Sequence, residues 1–430
     1  MKRMFKCVSM MALIAGICLT FMMPIEAKMK VTVSPKSLNK QAKKNFSSKY
    51  DKSIAHCLAL NQTIEKMRKK GGGTLTLKKG TYRLQYAVCI PSNVTLVFKN
   101  GVVVENIMNK KAHIKPASLM FQIAPKNKTK KKKSIGKYNG TSKAKLIGEG
   151  KVVFKMNYIK GVAINVVHCK NIEISGITFK GMNGNHYIET NAAKNVNIHD
   201  CKFTKAKKGT LKSAYVKEAI NIDLPDPTTH GSNSTWAKQD LTPCKNISVK
   251  NCTFEGMSRG VGTHNYSQKN GQNIYHSKIV IEGNTFKNLF DAGVYLMNWQ
   301  DVVIKNNTFY MTGKDNTLDK ATTAHAIAGA GVKDIHITGN SFTKIKKNPI
   351  YFAAQENVGN GSHYKRIYVY ITDEEAKEMV DNTSTECGKD PNFPGYDVVY
   401  LRGDGRRTAA NAVGINFNKK EVCFQMEKTK

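Results

Sequence analysis

Acidic residues are scarce in this chain. Its 430 residues include 31 Asp and Glu against 68 Lys and Arg, which gives a formal net charge of +37 at pH 7. Such an excess favours association with polyanions, such as uronic-acid polysaccharides, sulfated or phosphate-bearing glycans, or an anionic cell envelope. Nucleic acid is the second alternative, because counterion release rewards any basic surface, but no sequence-specific nucleic-acid partner is expected. Solvated lysine faces without a dedicated partner explain the composition equally well.

Metal-binding patterns are also lacking. The ten cysteines form no Cys-x-x-Cys or Cys/His set with zinc spacing, so we expect no structural metal. We expect no cofactor, and calcium is not indicated because carboxylates are sparse.

Long apolar runs are limited to the N-terminus. Lys2, Arg3 and Lys6 precede an apolar stretch from about Val8 to Met23, and Ala27 offers a small residue for cleavage. This pattern predicts a secretory signal over residues 1–27 and a secreted, extracellular protein. No second stretch is long enough to span a bilayer, so we expect no transmembrane segment after signal removal, and we expect a monomer.

One phrase recurs through the middle of the chain: a short apolar alternation, polar residues, then a Phe. The copies are Ile172–Phe179, Val196–Phe203, Ile247–Phe254, Ile279–Phe286, Val302–Phe309 and Ile335–Phe342. Repeats of this length, rich in β-branched residues and without helical periodicity, predict a β-solenoid. One copy cannot bury its apolar side alone, so the copies must stack.

The residue two positions before the Phe supports this stacking. In five successive copies it is Cys201, Cys252, Asn284, Asn307 and Asn340. Identical polar residues at a turn can hydrogen-bond along the stack and to the turn backbone. The combination resembles the right-handed parallel β-helix of the pectin-lyase-like superfamily, over about residues 54–355. Cys201 and Cys252 would lie on neighbouring coils, where either a disulfide or two free thiols fits.

The segments that flank the repeats are predicted to be caps. Ser53–Lys70 has helical periodicity and leads into a Gly-rich turn and a Gly-Thr-Tyr turn ending at Tyr82, which resembles the opening of polygalacturonases and related β-helix enzymes. Such a helix would cover the strand edges of the first coil. Near the other end, Thr372 and Glu375 predict a capping box that opens a short helix.

These features divide the chain into four parts. They are a signal peptide (1–27), a linker (28–52), a parallel β-helix with its N-terminal cap (53–361) and a small C-terminal cap (362–430). The last part is expected to contain strands at Val398–Leu401 and Gly414–Met426. The fold class predicted is therefore all-β, a right-handed parallel β-helix with an N-terminal capping helix.

A second short strand follows each of four repeats. Because side chains alternate along a strand, one set points inward: Ile188, Ile220, Ile222, Val261, Thr263, Val294 and Leu296. Two outward columns result, the first being Glu189, Asn221, Gly262 and Tyr295, and the second Asn191, Asp223, His264 and Met297. We expect an exposed sheet here, with a gap at Gly262 where a bound chain could approach the backbone.

This sheet carries the candidate site. Paired carboxylates can act as general acid and base in glycoside hydrolysis, and a nearby His can transfer a proton. The candidate catalytic residues are Asp223, Glu189 and His264. The candidate substrate-binding residues are Asn221, Arg259, Tyr266, Tyr295, His186, Glu218, Asp226, His230, Asp240 and His325. Structural roles are open to the same residues: Asp223 could end its strand, Glu189 could pair with a Lys, and His264 could bind a loop backbone.

The segment Asn221-Ile-Asp223 resembles the Asn-x-Asp strand of polygalacturonases, in which the Asp belongs to the catalytic group. The second Asp of that group is replaced here by the segment Gly262-Thr-His264, and no Gly-His-Gly or Arg-Ile-Lys segment follows. The resemblance therefore implies a divergent branch.

Three functions fit the sequence. The first is a secreted glycoside hydrolase for an acidic polysaccharide, with Asp223 and Glu189 as acid and base. The second is a calcium-free polysaccharide lyase or uronate epimerase, in which Arg259 or a Lys neutralises the substrate carboxylate and His264 or Tyr266 abstracts a proton. The third is a non-catalytic surface protein that binds glycan or an envelope polymer.

Overall fold

Coils stacked in parallel make up most of the protein. The computed structural model describes residues 28–46, 52–109, 118–206, 217–232, 234–263, 265–313, 324–356, 364–403 and 411–425. The predicted signal peptide and His264 lie outside these residues. The coils form a right-handed parallel β-helix, as the repeats predict, and each full coil contributes strands to three faces, which we call A, B and C.

Face A carries the second strands of the repeats. Its parallel strands are Val88–Cys89, Leu119–Gln122, Val162–Val167, Ile188–Asn191, Glu218–Asp223, Arg259–Gly262, the first part of Ala292–Lys305, the first part of Ile327–Thr338, Ile350–Phe352 and Val398–Leu401.

Face B carries the apolar alternations. Its strands are Met29–Val33, Gly73–Leu77, Val94–Phe98, Ser142–Gly148, Lys170–Ser175, Lys194–His199, Lys245–Lys250, His276–Glu282 and the second parts of Ala292–Lys305 and Ile327–Thr338. Because these last two strands run through both faces, A and B form one sheet of 20 strands in the described chain.

Face C is a separate sheet of ten described strands, six of which carry the Phe residues of the repeats. They are Gly80–Leu84, Val102–Asn106, Val153–Lys155, Thr178–Lys180, Lys202–Thr204, Thr253–Glu255, Thr285–Lys287, Thr308–Tyr310, Ser341–Thr343 and Thr383–Thr385. A small antiparallel hairpin, Gln268–Lys269 with Gln272–Asn273, lies outside the three faces.

Stacked phenylalanines fill the interior behind face C. From Phe179 to Phe342, the rings of successive repeats lie 4.7 to 5.0 Å apart between centroids, with planes within 14° of parallel. Each such aromatic pair contributes about 0.5–1.5 kcal/mol beyond its buried area. The Phe residues pair in register on neighbouring strands, so the repeat fixes the alignment of the coils.

An asparagine ladder runs through the turn between faces B and C, as predicted. The side-chain amide of Asn284 donates to the Oδ1 of Asn307 at 3.0 Å, Asn307 donates to Asn340 at 2.9 Å, and Asn340 donates to Asn382 at 2.9 Å. Each Oδ1 also accepts a backbone N–H from the preceding coil, beginning with that of Cys252. Asn382 extends the ladder one coil beyond the predicted repeats.

The eight cysteines in the described chain are free thiols, including Cys201 and Cys252 in the ladder. Burial, with a contribution from Cys252, raises the pKa of the Cys201 thiol well above its ordinary value. The structure therefore has two free thiols at Cys201 and Cys252, and not a disulfide.

The N-terminal segment differs from the predicted linker. Met29–Val33 adds a parallel strand beside Gly73–Leu77, and the helix Pro35–Asn45 packs Leu38 and Ala42 into the core. A Cβ at Gly73 would lie 1.9 Å from the carbonyl oxygen of Met29, so only glycine allows this close approach. The predicted capping helix is present as a 3₁₀ turn, Lys52–Ile54, followed by an α-helix, Ala55–Lys69.

The C-terminal segment contains one more coil than predicted. Thr383–Thr385 pairs with face C and Val398–Leu401 pairs in parallel with face A. The predicted helix is Asp373–Glu378, opened by the Thr372–Glu375 capping box. The expected strand at Gly414–Met426 is instead two antiparallel strands, Ala412–Asn416 and Glu421–Cys423, joined by a turn.

We predict that replacing Asn307 with Ala lowers the free energy of unfolding by about 2–4 kcal/mol. The change removes the acceptor for two N–H groups of Asn284 and the donor to the Ile281 carbonyl oxygen, and each buried polar group left without a partner costs about 1–3 kcal/mol. Urea unfolding measures the change. The exposed neighbour Thr308→Ala is the control; equal small effects from both variants would contradict a stabilising ladder.

Candidate functional site

The pairing of the face A strands places the side chains in the predicted columns. Asn165, Glu189, Asn221, Gly262 and Tyr295 are partners on successive strands. Asn191 and Asp223 are partners in the next column. The six apolar residues of the inward set lie in the core, and Thr263 is buried with its hydroxyl donating to the Ile222 carbonyl oxygen. The alternation thus predicted the side-chain directions correctly.

Face A is nevertheless not the exposed sheet that we expected. Asn221 and Asp223 are each only 1% exposed, and Gly262 is also buried. A Cβ at Gly262 would lie 2.6 Å from the Tyr295 carbonyl oxygen and 3.3 Å from Cγ of Glu218, so neighbouring atoms fill the predicted gap. Two sets of loops cover the face, and they account for this burial.

The first cover is formed by residues 124–140 with residues 225–232 and 234–244. Their apolar side chains pack with a face A residue in one cluster, which comprises Ala124, Ile135, Val167, Trp236 and Ala237. Backbone bonds join the two segments, as between the Lys238 N–H and the Ile135 carbonyl oxygen at 2.8 Å. The two ring nitrogens of buried His168 lie 2.7 and 2.9 Å from the carbonyl oxygens of Lys137 and Lys238.

The second cover is formed by residues 265–275 and 364–367. Asp226 is completely buried and its Oδ2 accepts hydrogen bonds from Ser267 at 2.5 Å and from Tyr364 at 2.7 Å. The Tyr266 hydroxyl donates to the Lys365 carbonyl oxygen at 3.0 Å. Asp226 and Tyr266 were both predicted to bind substrate. In the structure, their hydrogen bonds hold the second cover in place.

Four predicted residues meet in a buried charged network. The Arg259 guanidinium contacts Asp291 at 2.5 Å and Glu218 at 3.0 Å, and it lies 3.5 Å from the ring centroid of Tyr295. A ring nitrogen of His186 lies 2.7 Å from the Glu218 carbonyl oxygen. Sequence reasoning missed Asp291, whose only signal is its place just before a face A strand.

Burial opposes the charge on Arg259, but Asp291, Tyr295 and Glu218 outweigh it and raise the pKa of the guanidinium. Burial also raises the pKa of Tyr295, against the influence of Arg259. The network therefore holds an arginine cation and a neutral phenol beneath the surface.

The other predicted residues are not gathered into one site. Glu189 is half-buried and accepts a hydrogen bond from Asn191 at 3.0 Å, and Asp223 accepts the Leu224 N–H at 2.7 Å. Asp240 and His230 are exposed in the first cover, where Asp240 accepts the Lys137 N–H at 2.7 Å. His325 is buried and stacks on Tyr351 at 4.9 Å.

Sequence reasoning missed a column of lysines at the surface of face B. Lys170, Lys194 and Lys245 are register partners on three successive strands. Each is followed by an asparagine with positive φ, and the side chain of Asn246 donates to Asn195, which donates to Asn171, at 2.9 and 2.8 Å. We call these six residues the Lys–Asn ladder. The signal was a Lys-Asn dipeptide immediately before three successive repeats.

Three other lysines of face B, Lys145, Lys250 and Lys305, are paired with acids. Lys145 lies 2.7 Å from Glu173, and Glu282 lies between Lys250 and Lys305 at 2.7 and 3.1 Å. Hydrogen bonds from Lys250 and Lys305 hold the pKa of Glu282 below its ordinary value. Across the described chain, by contrast, no carboxylate lies within 4.0 Å of the ammonium groups of the Lys–Asn ladder.

Side chains that could bind a metal ion do not form a cluster in the described part of the chain. Among the residues that the structure describes, no three His, Cys, Asp or Glu side chains are placed to hold a metal ion. In the same residues, no helix is long and apolar enough to cross a membrane.

Comparison with known proteins gives the following likenesses. A family model for the right-handed β-helix region matches residues 229–363. Plasmin and fibronectin-binding protein A of Streptococcus pneumoniae (strain ATCC BAA-255 / R6) is 26% identical over 275 residues, which are 60% of this chain and 37% of the relative. The chain thus spans little more than a third of the curated relative that it matches.

Solved structures of a bacterial adhesin and of a phage tailspike share the fold. The surface adhesin PfbA of Streptococcus pneumoniae has a TM-score of 0.57 at 18% identity, with 86% of this chain and 82% of the other covered. A mutant tailspike protein of E. coli bacteriophage HK620, in complex with a hexasaccharide, has a TM-score of 0.51 at 14% identity, with coverages of 75% and 59%. Likenesses at these identities establish the architecture alone.

We predict that Arg259→Met lowers the free energy of unfolding by about 3–5 kcal/mol, because it leaves Glu218 and Asp291 buried without their counterion. Denaturant unfolding measures the change. Arg366→Met is the matched control, since its pair with Glu356 is exposed and contributes about 0–1 kcal/mol. An Arg259 variant as stable as this control would contradict a stabilising role for the buried charged network.

Proposed function

We propose that this right-handed parallel β-helix protein is an extracellular, non-catalytic binding protein for acidic polysaccharide. The observation that carries the proposal is the Lys–Asn ladder, a column of lysines at the surface without acidic partners in the described chain. The net charge of +37 extends the same preference to the whole molecule.

The spacing of the ladder favours an anionic polymer as the ligand. Parallel strands lie about 4.8 Å apart, and like charges directly opposite one another on neighbouring strands destabilise a sheet. Elsewhere on face B, Glu173 and Glu282 relieve that repulsion. A bound chain with regularly spaced carboxylate or sulfate groups would relieve it at Lys170, Lys194 and Lys245, and the ladder asparagines add amide groups beside the charges.

The streptococcal relative at 26% identity supports a binding role, because it is named for binding plasmin and fibronectin. PfbA, which shares the fold, is described as a surface adhesin. We propose secretion or surface display for this chain as well, in agreement with its predicted signal peptide.

A glycoside hydrolase is the second candidate. It is favoured by one observation: Glu189 is half-buried, fixed by Asn191 and adjacent in register to Asn221. The proposed second carboxylate, that of Asp223, is buried and held by a backbone N–H. The lyase or epimerase alternative would use Arg259 together with His264 or Tyr266. Arg259 is bound to Glu218 and Asp291, and Tyr266 holds the second cover, while His264 lies outside the described residues.

We predict that replacing Lys170, Lys194 and Lys245 together with Gln weakens binding to polygalacturonate about tenfold, since each exposed ion pair contributes up to about 1 kcal/mol. Because fewer counterions are released, the slope of log K against log salt also falls by about two to three. Titration calorimetry over a series of salt concentrations measures both quantities.

The control for this variant is Lys145, Lys250 and Lys305 replaced together with Gln. It removes the same charge from the same face, but from lysines that already have acidic partners. If both triple variants lose the same affinity, the protein binds polyanions through net charge alone and the ladder is not a site. Unchanged binding by the Lys170, Lys194 and Lys245 variant also contradicts the proposal.

We predict that the mature protein forms no product from acidic polysaccharides that it retains on a column. The reason is that Asp223, Glu218 and Asp226 are buried in bonds that hold the structure. Reducing ends and ultraviolet absorbance are measured together over a panel of substrates.

New reducing ends without unsaturated-uronate absorbance, abolished by Glu189→Gln, would overturn this prediction in favour of hydrolysis. A rise in both signals would instead establish elimination.

A further inference from the structure

A broad cleft lies on face C, away from the sequence-predicted site and the Lys–Asn ladder. Its volume is about 1080 Å³, and its floor is formed by the outward side chains of the strands from Val153–Lys155 to Thr253–Glu255. The turns that follow these strands form one wall. Nothing in the repeat pattern or in the face A chemistry requires such a cleft.

Lysines surround the cleft. Lys151, Lys180 and Lys205 line it, and no carboxylate lies within 4.0 Å of their ammonium groups in the described parts of the chain. Lys202, in contrast, reaches Glu255 at 3.3 Å. Three lysines without acidic partners around one concave surface create a positive potential that attracts anionic groups.

Two aromatic rings line the same cleft, which distinguishes it from a merely basic patch. Tyr158 is 47% exposed, one of the most exposed large apolar side chains in the described residues. Its backbone is fixed, because its N–H donates to the Gly181 carbonyl oxygen and its own carbonyl oxygen accepts from Asn183, both at 2.8 Å. The half-buried ring of Phe290 is the second aromatic member of the lining.

The exposed part of the Tyr158 ring contributes no burial free energy to folding, so this apolar area is available to a ligand. Such a ring beside lysines suits a ligand with both an apolar ring face and negative groups. Threonine hydroxyls at Thr178 and Thr204 on the floor of the cleft provide hydrogen-bonding groups for a polyhydroxylated chain.

We infer that the face C cleft is a second binding site, which takes a sugar chain bearing carboxylate or sulfate groups. A pyranose face packs on Tyr158, and the acidic substituents pair with Lys151, Lys180 and Lys205. The inference shares only its ligand class with the proposed function, because a different face and different side chains carry it.

The test uses Tyr158→Asn in the full mature protein. Asparagine tolerates the positive φ of 55° at this position, so the ring is removed without straining the turn. The two probes are a sulfated dextran oligosaccharide, which has sugar rings, and inorganic polyphosphate, which has charge alone. Tyr370→Asn is the control, since Tyr370 is similarly exposed at 49% but does not line the cleft.

We expect Tyr158→Asn to weaken oligosaccharide binding about three- to tenfold, the range that a single aromatic contact supplies. Polyphosphate binding and thermal stability should not change, and the Tyr370 control should bind both probes as the unmodified protein does. Replacing Lys151, Lys180 and Lys205 with Gln should weaken binding of both probes.

Unchanged oligosaccharide affinity in Tyr158→Asn would overturn the inference, as would an equal loss for the two probes. The proposed function fails separately, through the Lys170, Lys194 and Lys245 variant. If that variant binds polygalacturonate normally while Tyr158→Asn loses the oligosaccharide, the face C site stands and the ladder does not.

Discussion

In-register stacking of identical side chains is the constraint on which this molecule depends. The phenylalanine rings behind face C repeat from coil to coil at a spacing that matches that of the strands, and the asparagine side chains at the turn hydrogen-bond from coil to coil. A slip of one residue would turn every interior side chain outward. It would also break each hydrogen bond between the asparagine side chains of the ladder. The register is therefore held by apolar and polar contacts at once, and the outward columns follow from it.

The same register that stabilises the interior controls the surface. A residue type that recurs in the repeat becomes a column, so a Lys-Asn dipeptide before three repeats becomes the Lys–Asn ladder. Where the repeat varies, opposite charges alternate, as with Lys250, Glu282 and Lys305. A solenoid converts sequence periodicity directly into surface chemistry, and this protein combines paired columns with columns that have no acidic partner in the described chain.

The sequence alone predicted the stack of coils, but it did not predict how the residues of the candidate site are buried and paired. Alternation correctly assigned Ile220 inward and Asn221 outward, because strand direction is a local property. It could not show that Asn221 is buried, because the covers bring residues 225–232 and 234–244 together with residues 124–140, and residues 265–275 together with residues 364–367, which are far apart along the chain. Residues 28–52 were predicted to be a linker because a strand that completes an edge, Met29–Val33, and a short amphipathic helix, Pro35–Asn45, leave little local signal. Register also cannot reveal that Asp291 neutralises Arg259, since the two side chains meet across coils.

The two ends of the described chain lie at opposite ends of the stack of coils. Met29–Val33 belongs to the first coil, and the antiparallel strands after Val398–Leu401 close the last. A tensile force applied between these ends would pull the coils apart along the solenoid axis and load their hydrogen-bond ladders in series. Coils would then detach one at a time, each releasing a short length of chain and dissipating work while the rest of the stack stays folded. A protein built this way yields gradually under mechanical load.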